Sequence, residues 1–229
     1  MSKIEWTEKT WNPVTGCTKV SVGCKNCYAE NVAKRFWGDR KFGDIQVHPE
    51  RLSDPAKRKK PTMYFVNSMS DLFHADVSTE FIGMVLSIME MTPQHTYQVL
   101  TKRPERILPI LVEFGVPENL WIGVSVENQQ TANERIPFLE ELIVPVKWVS
   151  YEPALACVDF TGFEYIDWLV VGGESGAKKR PCKIDWFENA RDWAEKNGIA
   201  FFMKQIDKVQ EIPQDLMIRE YPDPEIISI

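Results

Sequence analysis

The stretch Thr10–Glu30 reads TWNPVTGCTKVSVGCKNCYAE and holds three of the chain's five cysteines, Cys17, Cys24 and Cys27, in the spacing C-x6-C-x2-C. Thiolates are soft ligands that bind iron–sulfur clusters and zinc. A structural zinc site takes four protein ligands, and an electron-transfer cluster usually takes four cysteines. Three cysteines on one loop therefore predict a metal centre with one coordination position left for another molecule.

A four-ligand zinc site is the alternative interpretation of these cysteines. Its fourth ligand would be Cys157, Cys182 or a histidine, and none of them lies near the three cysteines in the sequence. On this interpretation the chain is not an enzyme but a zinc- or cluster-binding module that docks nucleic acid or a partner protein. An odd number of cysteines, three of them clustered, disfavours a secreted disulfide framework, so we expect a reducing, cytoplasmic setting.

The composition is that of a globular protein, with 44% hydrophobic and 26% charged residues among 229. We expect a single domain over residues 1–229, without a secretion signal or a membrane-spanning segment. The net charge of −6 disfavours nucleic-acid binding, but residues 34–60 carry nine basic residues against four acids. Such a run is usually a solvated face. We expect residues 38–62 to form an ordered basic insertion without a strand.

The segment from Cys17 to Cys27 is called the cysteine loop below. Beyond it, the chain repeats a strand–helix unit. Tyr28–Trp37 has a helical pattern, and the apolar runs that follow are spaced as in βα units. The runs begin near Met63, Tyr97, Leu120, Val146, Trp168 and Ala200, with a further short strand expected at Thr10–Asn12. Nearly continuous apolar strands indicate a parallel sheet that is buried on both faces. The sequence therefore predicts an α/β fold, an incomplete (β/α) barrel with six or seven mostly parallel strands, followed by an irregular tail over residues 207–229.

Amphipathic segments between the apolar runs predict helices with recognisable ends. Ser78 or Thr79 is the predicted cap of the first, because both side chains can accept from a free helical N–H group. A later helix is predicted over Thr131–Leu142. Asp185 is the predicted cap of the last helix, which Gly198 should close.

Polar side chains follow each of the six apolar runs, at the point where the strand should end. In parallel α/β barrels the carboxyl ends of the strands meet at one edge, where the connecting loops form the site. Six such ends in succession, with acids and bases mixed, predict a polar cavity there. The residues are Asn67, Ser68, Ser70, Asp71, Thr101, Lys102, Arg103, Ser125, Glu127, Asn128, Ser150, Tyr151, Glu152, Glu174, Ser175, Lys204 and Gln205.

Taken together, these motifs resemble those of the phage Gp37/Gp68 (DUF5131) family, which has no established reaction. The resemblance covers the chain up to Gln205, and Ile206 departs from it because family members tend to have tryptophan there. Its motifs are TWNPVTGC and GC..CYAE around the cysteines, NSMSDLFH at 67–74, VLTKRPER at 99–106, GVSVEN at 123–128, YEP at 151–153, GGESG at 172–176 and FFMKQ at 201–205.

Through its cysteine loop and strand–helix order, the family in turn resembles the radical SAM enzymes, although their commonest spacing is C-x3-C-x2-C. The resemblance implies a [4Fe-4S] cluster on the three cysteines, S-adenosylmethionine (SAM) at the open iron, and an electron donor as partner. It implies an enzyme that cleaves SAM reductively and then abstracts hydrogen from a substrate. Basic clusters at 34–60, 102–106 and 178–183, expected around the barrel mouth, suit an anionic substrate such as a nucleotide or nucleic acid.

The resemblance also suggests roles for the polar strand ends. Asp71 is expected to accept from the ammonium group of SAM, and Arg103 could replace Lys102 at the SAM carboxylate. Asn128 could instead cap the helix that follows it. Glu152 and Glu174 are the candidate catalytic carboxylates. The candidate cofactor ligands are Ser68, Ser70 and Asp71 for the amino group, Lys102 for the carboxylate, and Ser125, Glu127, Asn128 and Ser150 for the ribose and the rest of the cavity.

Overall fold

Seven parallel strands form one curled sheet in the computed structural model, which describes residues 4–223. A small antiparallel pair, β2 with β3, stands apart from this sheet. Otherwise each strand lies beside the next strand in the chain, so the sheet is an open half-barrel, as predicted. The strands are β1 (Lys9–Trp11), β2 (Val14–Thr15), β3 (Gln46–Val47), β4 (Met63–Val66), β5 (Thr96–Thr101), β6 (Leu120–Val126), β7 (Val146–Tyr151), β8 (Trp168–Gly172) and β9 (Ala200–Gln205).

Among residues 4–223, six α-helices and four 3-10 turns connect the strands, and a fifth 3-10 turn follows β9. Ser78 caps the second helix by accepting from the Phe81 N–H at 3.2 Å, which confirms the predicted start. Within residues 4–223, no helix has the length and apolar character needed to cross a bilayer. The helices are α1 (Tyr28–Phe36), α2 (Thr79–Glu90), α3 (Ile107–Phe114), α4 (Gln129–Arg135), α5 (Pro137–Glu140) and α6 (Ile184–Lys196), and the 3-10 turns are Val22–Cys24, Pro49–Arg51, Pro55–Lys57, Pro104–Arg106 and Gln214–Leu216.

Three local predictions were wrong. The insertion at 38–62 contains a strand after all, because β3 pairs with β2 next to the cysteine loop. The helix predicted over Thr131–Leu142 is two helices, since α5 begins at Pro137 and proline cannot continue the hydrogen bonds of α4. Asp185 is not the cap of α6: Lys183 takes that position, and Asp185 lies inside the first turn, where its charge suits the helix N-terminus.

The two faces of the sheet have different neighbours. On the face covered by helices, residues such as Tyr97 and Val99 belong to the large apolar core. On the concave face, Trp121, Trp148 and Trp168 form an aromatic floor that the chain's N-terminal segment covers with Trp6. Side chains of a strand alternate between its faces, so the concave face becomes polar two to four residues beyond this floor, at Ser125 and Ser150, which are paired in register.

The tail is more ordered than predicted as far as residue 223. The Met203 N–H donates to the Ile218 carbonyl at 2.8 Å, and the Glu220 N–H donates to the Phe201 carbonyl at 2.9 Å. This short antiparallel segment covers the open edge of β9, where unpaired backbone groups would otherwise face solvent. The remainder of the predicted tail, residues 224–229, lies outside the described residues.

Candidate iron–sulfur and SAM site

The three cysteines line one cavity of about 160 Å³ at the carboxyl ends of β4, β5 and β6. Five of the predicted cofactor ligands lie on its wall: Ser68, Ser70, Asp71, Lys102 and Ser125. The rest of the wall includes Tyr28, Phe42, Phe65, Asn67, Leu100, Thr101 and Arg103. Five other predicted site residues do not line this cavity: Glu127, Asn128, Ser150, Glu152 and Glu174.

The donor set suits a cluster better than a single metal ion. Among residues 4–223, no three His, Cys, Asp or Glu side chains are placed to hold one ion. Zinc would need sulfur atoms within about 4 Å of one another, given Zn–S bonds of about 2.3 Å. In a four-iron cluster each cysteine binds a different iron, so three thiols that share a cavity without converging on one ion fit this arrangement. None of the alternative fourth ligands, Cys157, Cys182 or a histidine, lines the cavity.

The three thiols differ in how readily they lose a proton. Burial and the nearby Asp71 carboxylate raise the pKa of the Cys17 thiol to about 11. Burial also raises the pKa of Cys27. At Cys24 the effect of burial is outweighed by hydrogen bonds from the loop backbone and by the Lys102 charge, so its pKa is lowered. A metal centre binds thiolates, so loading this site should release protons.

Three acids anchor the cysteine loop to the strand ends, and we call each set of contacts a fastening. The first fastening is the ion pair between Asp71 and Arg103, both of which are buried. Arg103 Nη1 donates to Asp71 Oδ2 at 2.9 Å and reaches Cys17 Sγ at 3.7 Å. Arg103 Nη2 donates to the Thr18 carbonyl at 2.9 Å. The carboxylate therefore orients a guanidinium group that holds the start of the loop.

Asp71 has no oxygen free for a ligand. Oδ1 accepts from Thr101 Oγ1 at 2.7 Å and from the Phe73 N–H at 3.0 Å, and Oδ2 also accepts from the Lys102 N–H at 3.2 Å. An ammonium group could reach this carboxylate only by displacing one of these bonds. The geometry therefore favours a positioning role for Asp71 over the predicted contact with SAM.

The second fastening is Glu127, which is fully buried. Its carboxylate accepts from Lys102 Nζ and, at 3.2 Å, from Arg135 Nη1. These charges lower the pKa of Glu127 against the opposing effect of burial. Glu127 Oε1 also accepts from Ser21 Oγ of the cysteine loop at 2.8 Å. A Cβ on Gly23 would lie 2.3 Å from the same oxygen, so only glycine permits this approach.

The third fastening is Glu174, the predicted catalytic residue of the GGESG motif. Glu174 Oε1 accepts from Arg180 Nη2 at 2.6 Å, and Oε2 accepts from Asn26 Nδ2 at 2.9 Å. Arg180 Nη1 donates in turn to the Val22 carbonyl at 3.0 Å. Glu174 thus holds the part of the loop on either side of Cys24, up to Cys27.

Several predicted serine and asparagine ligands also brace the site. Ser68 Oγ donates to Asn12 Oδ1 at 3.2 Å, and Ser70 Oγ donates to the Val14 carbonyl at 2.8 Å. Asn128 caps α4 in a reciprocal capping box with Thr131, which is the alternative already considered for it. Ser150 lies on the concave face, beside Ser125 of the cavity wall.

Glu152 belongs to a different kind of pair. Lys204 Nζ donates to both of its oxygens at 2.7 Å, and Gln205 Nε2 lies 3.5 Å from one of them. Within residues 4–223 the pair makes no hydrogen bond to the cysteine loop, and both side chains are half-buried.

Sequence reasoning missed what the basic residues do. Arg135 and Arg180 neutralise buried acids, although nothing in their spacing to Glu127 or Glu174 distinguishes them from surface arginines. The expectation that all basic clusters surround the barrel mouth was also wrong. Lys57–Lys60 line a cavity with Lys9 and Tyr64, at the amino ends of β1 and β4.

The comparison with protein families matches residues 1–219 to a family described as "Protein of unknown function (DUF5131)". The chain belongs to this family. Membership confirms the family resemblance seen in the sequence, while its phage association stays a prediction. No curated protein matches this DUF5131 chain at a significant level.

Solved structures of spore photoproduct lyase share the fold of this DUF5131 protein. A mutant of that lyase with phenylalanine in place of one tyrosine aligns with a TM-score of 0.57 at 10% identity, over 84% of this chain and 75% of that one. The complex with dinucleoside spore photoproduct gives 0.55 at 11%, over 84% and 74%. A mutant with serine in place of one cysteine gives 0.50 at 13%, over 76% of this chain and 57% of the other. The fold is therefore a radical-SAM-like partial barrel, as the sequence predicted.

Proposed function

We propose that this protein is a radical SAM enzyme in which Cys17, Cys24 and Cys27 hold a [4Fe-4S] cluster with one iron open to SAM. One observation carries the proposal. Three buried acids, each paired with a cation, anchor the three-cysteine loop over the carboxyl ends of the half-barrel, where all three thiols share a cavity. When bound and reduced by an electron donor, the cluster would supply the electron that cleaves SAM and begins hydrogen abstraction.

The wall of the cavity provides the means to bind and orient SAM. Ser125 and the polar groups of the segment after β4 offer hydrogen-bonding partners for the amino acid and ribose parts. Phe65 and Leu100 provide apolar contact on the same wall, which would keep water from the reacting atoms. Asp71, Glu127 and Glu174 act through the loop as positioning residues in this proposal.

Glu152 and Lys204 are the groups best placed to meet the substrate. Their ion pair lies at the carboxyl ends of β7 and β9, and within residues 4–223 it makes no hydrogen bond to the cysteine loop. Lys204 offers a cation and Glu152 an acceptor, so a substrate with anionic and hydrogen-bonding groups fits. The dinucleoside bound by a structural neighbour supports a nucleotide-like substrate for this protein.

The test begins with anaerobic reconstitution of the cluster. Iron and sulfide should each approach about four per chain. Alanine at Cys17, Cys24 or Cys27 should abolish the cluster, and the matched changes Cys157→Ala and Cys182→Ala should leave it intact. A colourless protein that binds one zinc ion, or loss of metal in Cys182→Ala, would replace the proposal with the zinc-binding module.

The reaction is tested by incubating the reconstituted protein with SAM and dithionite under anaerobic conditions. Chromatography should detect methionine and 5′-deoxyadenosine from the wild type and neither product from Cys24→Ala. Wild-type protein with a full cluster that binds SAM but forms no product with several reductants would be a binding protein rather than a radical enzyme.

A further inference from the structure

Two further cavities lie along the edge of the sheet that β1 forms. The first, of about 460 Å³, is lined by Asn12, Thr15, Trp37 and Arg40 among others. The second, of about 530 Å³, lies at the amino ends of β1 and β4 and includes Lys60. We call the combined lining of these two cavities the basic track, for the charges described below.

The three cavities are neighbours in space. Tyr28 of the cysteine cavity and Val32 of the first track cavity are four residues apart on α1, so they lie on one face of that helix. Asn12 of the first track cavity follows Thr10 of the second by two residues, a separation of about 7 Å along an extended chain. The track therefore runs from the mouth of the proposed active site to the opposite end of the sheet.

The track is strongly cationic within an acidic protein. Its lining holds seven lysines and arginines against one acid, Asp54, whereas the whole chain has a net charge of −6. Lys59 and Lys60 are exposed and have no ion-pair partner among residues 4–223. The basic residues are Lys9, Arg40, Arg51, Lys57, Arg58, Lys59 and Lys60. A row of cations of this kind suits a polyanion.

Aromatic side chains accompany the cations at the upper end of the track. The Arg40 guanidinium lies 4.1 Å from the centre of the Trp37 ring, and the Trp37 and Phe42 rings are 5.8 Å apart. Phe42 and Tyr28 in turn line the cysteine cavity. Aromatic rings beside a cationic groove are the combination with which proteins bind single-stranded nucleic acid, because unpaired bases stack on the rings.

We propose that the basic track binds the backbone of a single-stranded nucleic acid and leads one of its nucleotides to the cysteine cavity. Binding to the track stands independently of the chemistry, and delivery to the cavity rests on the proposed function. A single strand is favoured over a duplex, because paired bases cannot stack on Trp37 and Phe42. An acidic protein could match the charge, but it would make no comparable use of the rings.

Binding is tested with the cluster-loaded protein and a fluorescent single-stranded oligonucleotide of mixed sequence, by anisotropy between about 50 and 200 mM salt. Lys60→Glu should weaken binding and reduce the slope of log affinity against log salt by about 0.7, and Lys59→Glu/Lys60→Glu should reduce it by about 1.4. Lys196→Glu makes the same charge change at an exposed lysine on α6, outside the track, and should leave the slope unaltered. Trp37→Leu should weaken binding about fivefold or more at constant slope.

Four results would overturn the proposal. Three of them are no binding by the wild type at low salt, equal effects of Lys60→Glu and Lys196→Glu, and binding of polyglutamate in place of the oligonucleotide. The fourth is tighter binding of a duplex than of a single strand. Wild-type protein that binds the oligonucleotide but never yields 5′-deoxyadenosine would leave the track in place and remove the proposed enzyme. Product formation without oligonucleotide binding would support the proposed enzyme and remove the proposed role of the basic track.

Discussion

Acids at four strand ends pair with cations in this protein, and they form two groups. Asp71, Glu127 and Glu174 are buried, and each joins its cation to the cysteine loop. Glu152 makes an equally short ion pair with Lys204, yet it makes no hydrogen bond to that loop among residues 4–223. The same residue types at equivalent places in the fold thus either hold the cysteine loop or form an ion pair separate from it. What the carboxylate contacts beyond its cation decides the role.

The largest expected difference between the groups is in stability. Glu127→Gln would leave Lys102 and Arg135 beside an uncharged, fully buried group, which should lower the free energy of unfolding by about 3–5 kcal/mol. Guanidinium denaturation measures this change, and Glu152→Gln provides the matched control. Equal losses in the two variants would show that the groups do not differ in the way proposed.

Arg103 tests whether the fastening acts on the loop or only on the fold. Arg103→Lys keeps the charge opposite Asp71 but loses the second nitrogen that bonds the Thr18 carbonyl. We expect a loss of about 1.5–3 kcal/mol in unfolding free energy, together with lower iron content after reconstitution.

Arg106 is the matched control for that change. It also donates to backbone carbonyls, those of His74 and Val77, but makes no bond to the cysteine loop within residues 4–223. Arg106→Lys should therefore destabilise the protein comparably without lowering its iron content. If both variants lose iron to the same extent, the effect of Arg103 is one of general stability.

Gly23 tests the close contact between the loop and Glu127. Gly23→Ala places a methyl group 2.3 Å from a carboxylate oxygen and should cost about 1–3 kcal/mol, with incomplete cluster loading. At Gly43 an added Cβ meets nothing within 4 Å, so Gly43→Ala should be neutral or slightly stabilising. Thermal denaturation and iron analysis of the two variants separate the contact from the general effect of losing a glycine.

The sequence predicted the framework because the framework depends on local patterns. Each observed strand of the large sheet begins within one residue of its predicted start, because an apolar run bounded by polar residues can be recognised from the sequence alone. The sequence did not show which acids at the strand ends bond to the cysteine loop and which do not. Asp71 and Glu152 both follow apolar strands, and only the fold shows that Arg103 reaches the one and Lys204 the other.

The basic insertion shows the same limit. Its composition suited either a solvated face or an anionic partner, but its location came from pairing of β3 with β2 and from the path of residues 49–60 along the edge of β1. Such contacts join segments about 40 residues apart, as between Trp11 and Arg51. The hydrophobic periodicity of the sequence cannot predict them.

The smallest expected effect on stability, and the sharpest test of the comparison, is at Glu152. Glu152→Gln keeps the shape of the side chain and removes the charge opposite Lys204. Because the pair is half-buried and solvent can reach Lys204, the unfolding free energy should fall by about 1 kcal/mol or less. Iron and sulfide should remain at the wild-type level, since the pair makes no hydrogen bond to the cysteine loop among residues 4–223.

If Glu152 faces the SAM or substrate space, losing one hydrogen bond to a charged group should lower 5′-deoxyadenosine formation per cluster about tenfold or more. Lys204→Met should lower it similarly, and the double variant should show less than the product of the two effects, because both act through one pair. Full activity in Glu152→Gln would place this pair with the structural acids and leave the half-barrel without a charged group for the substrate from β7 or β9.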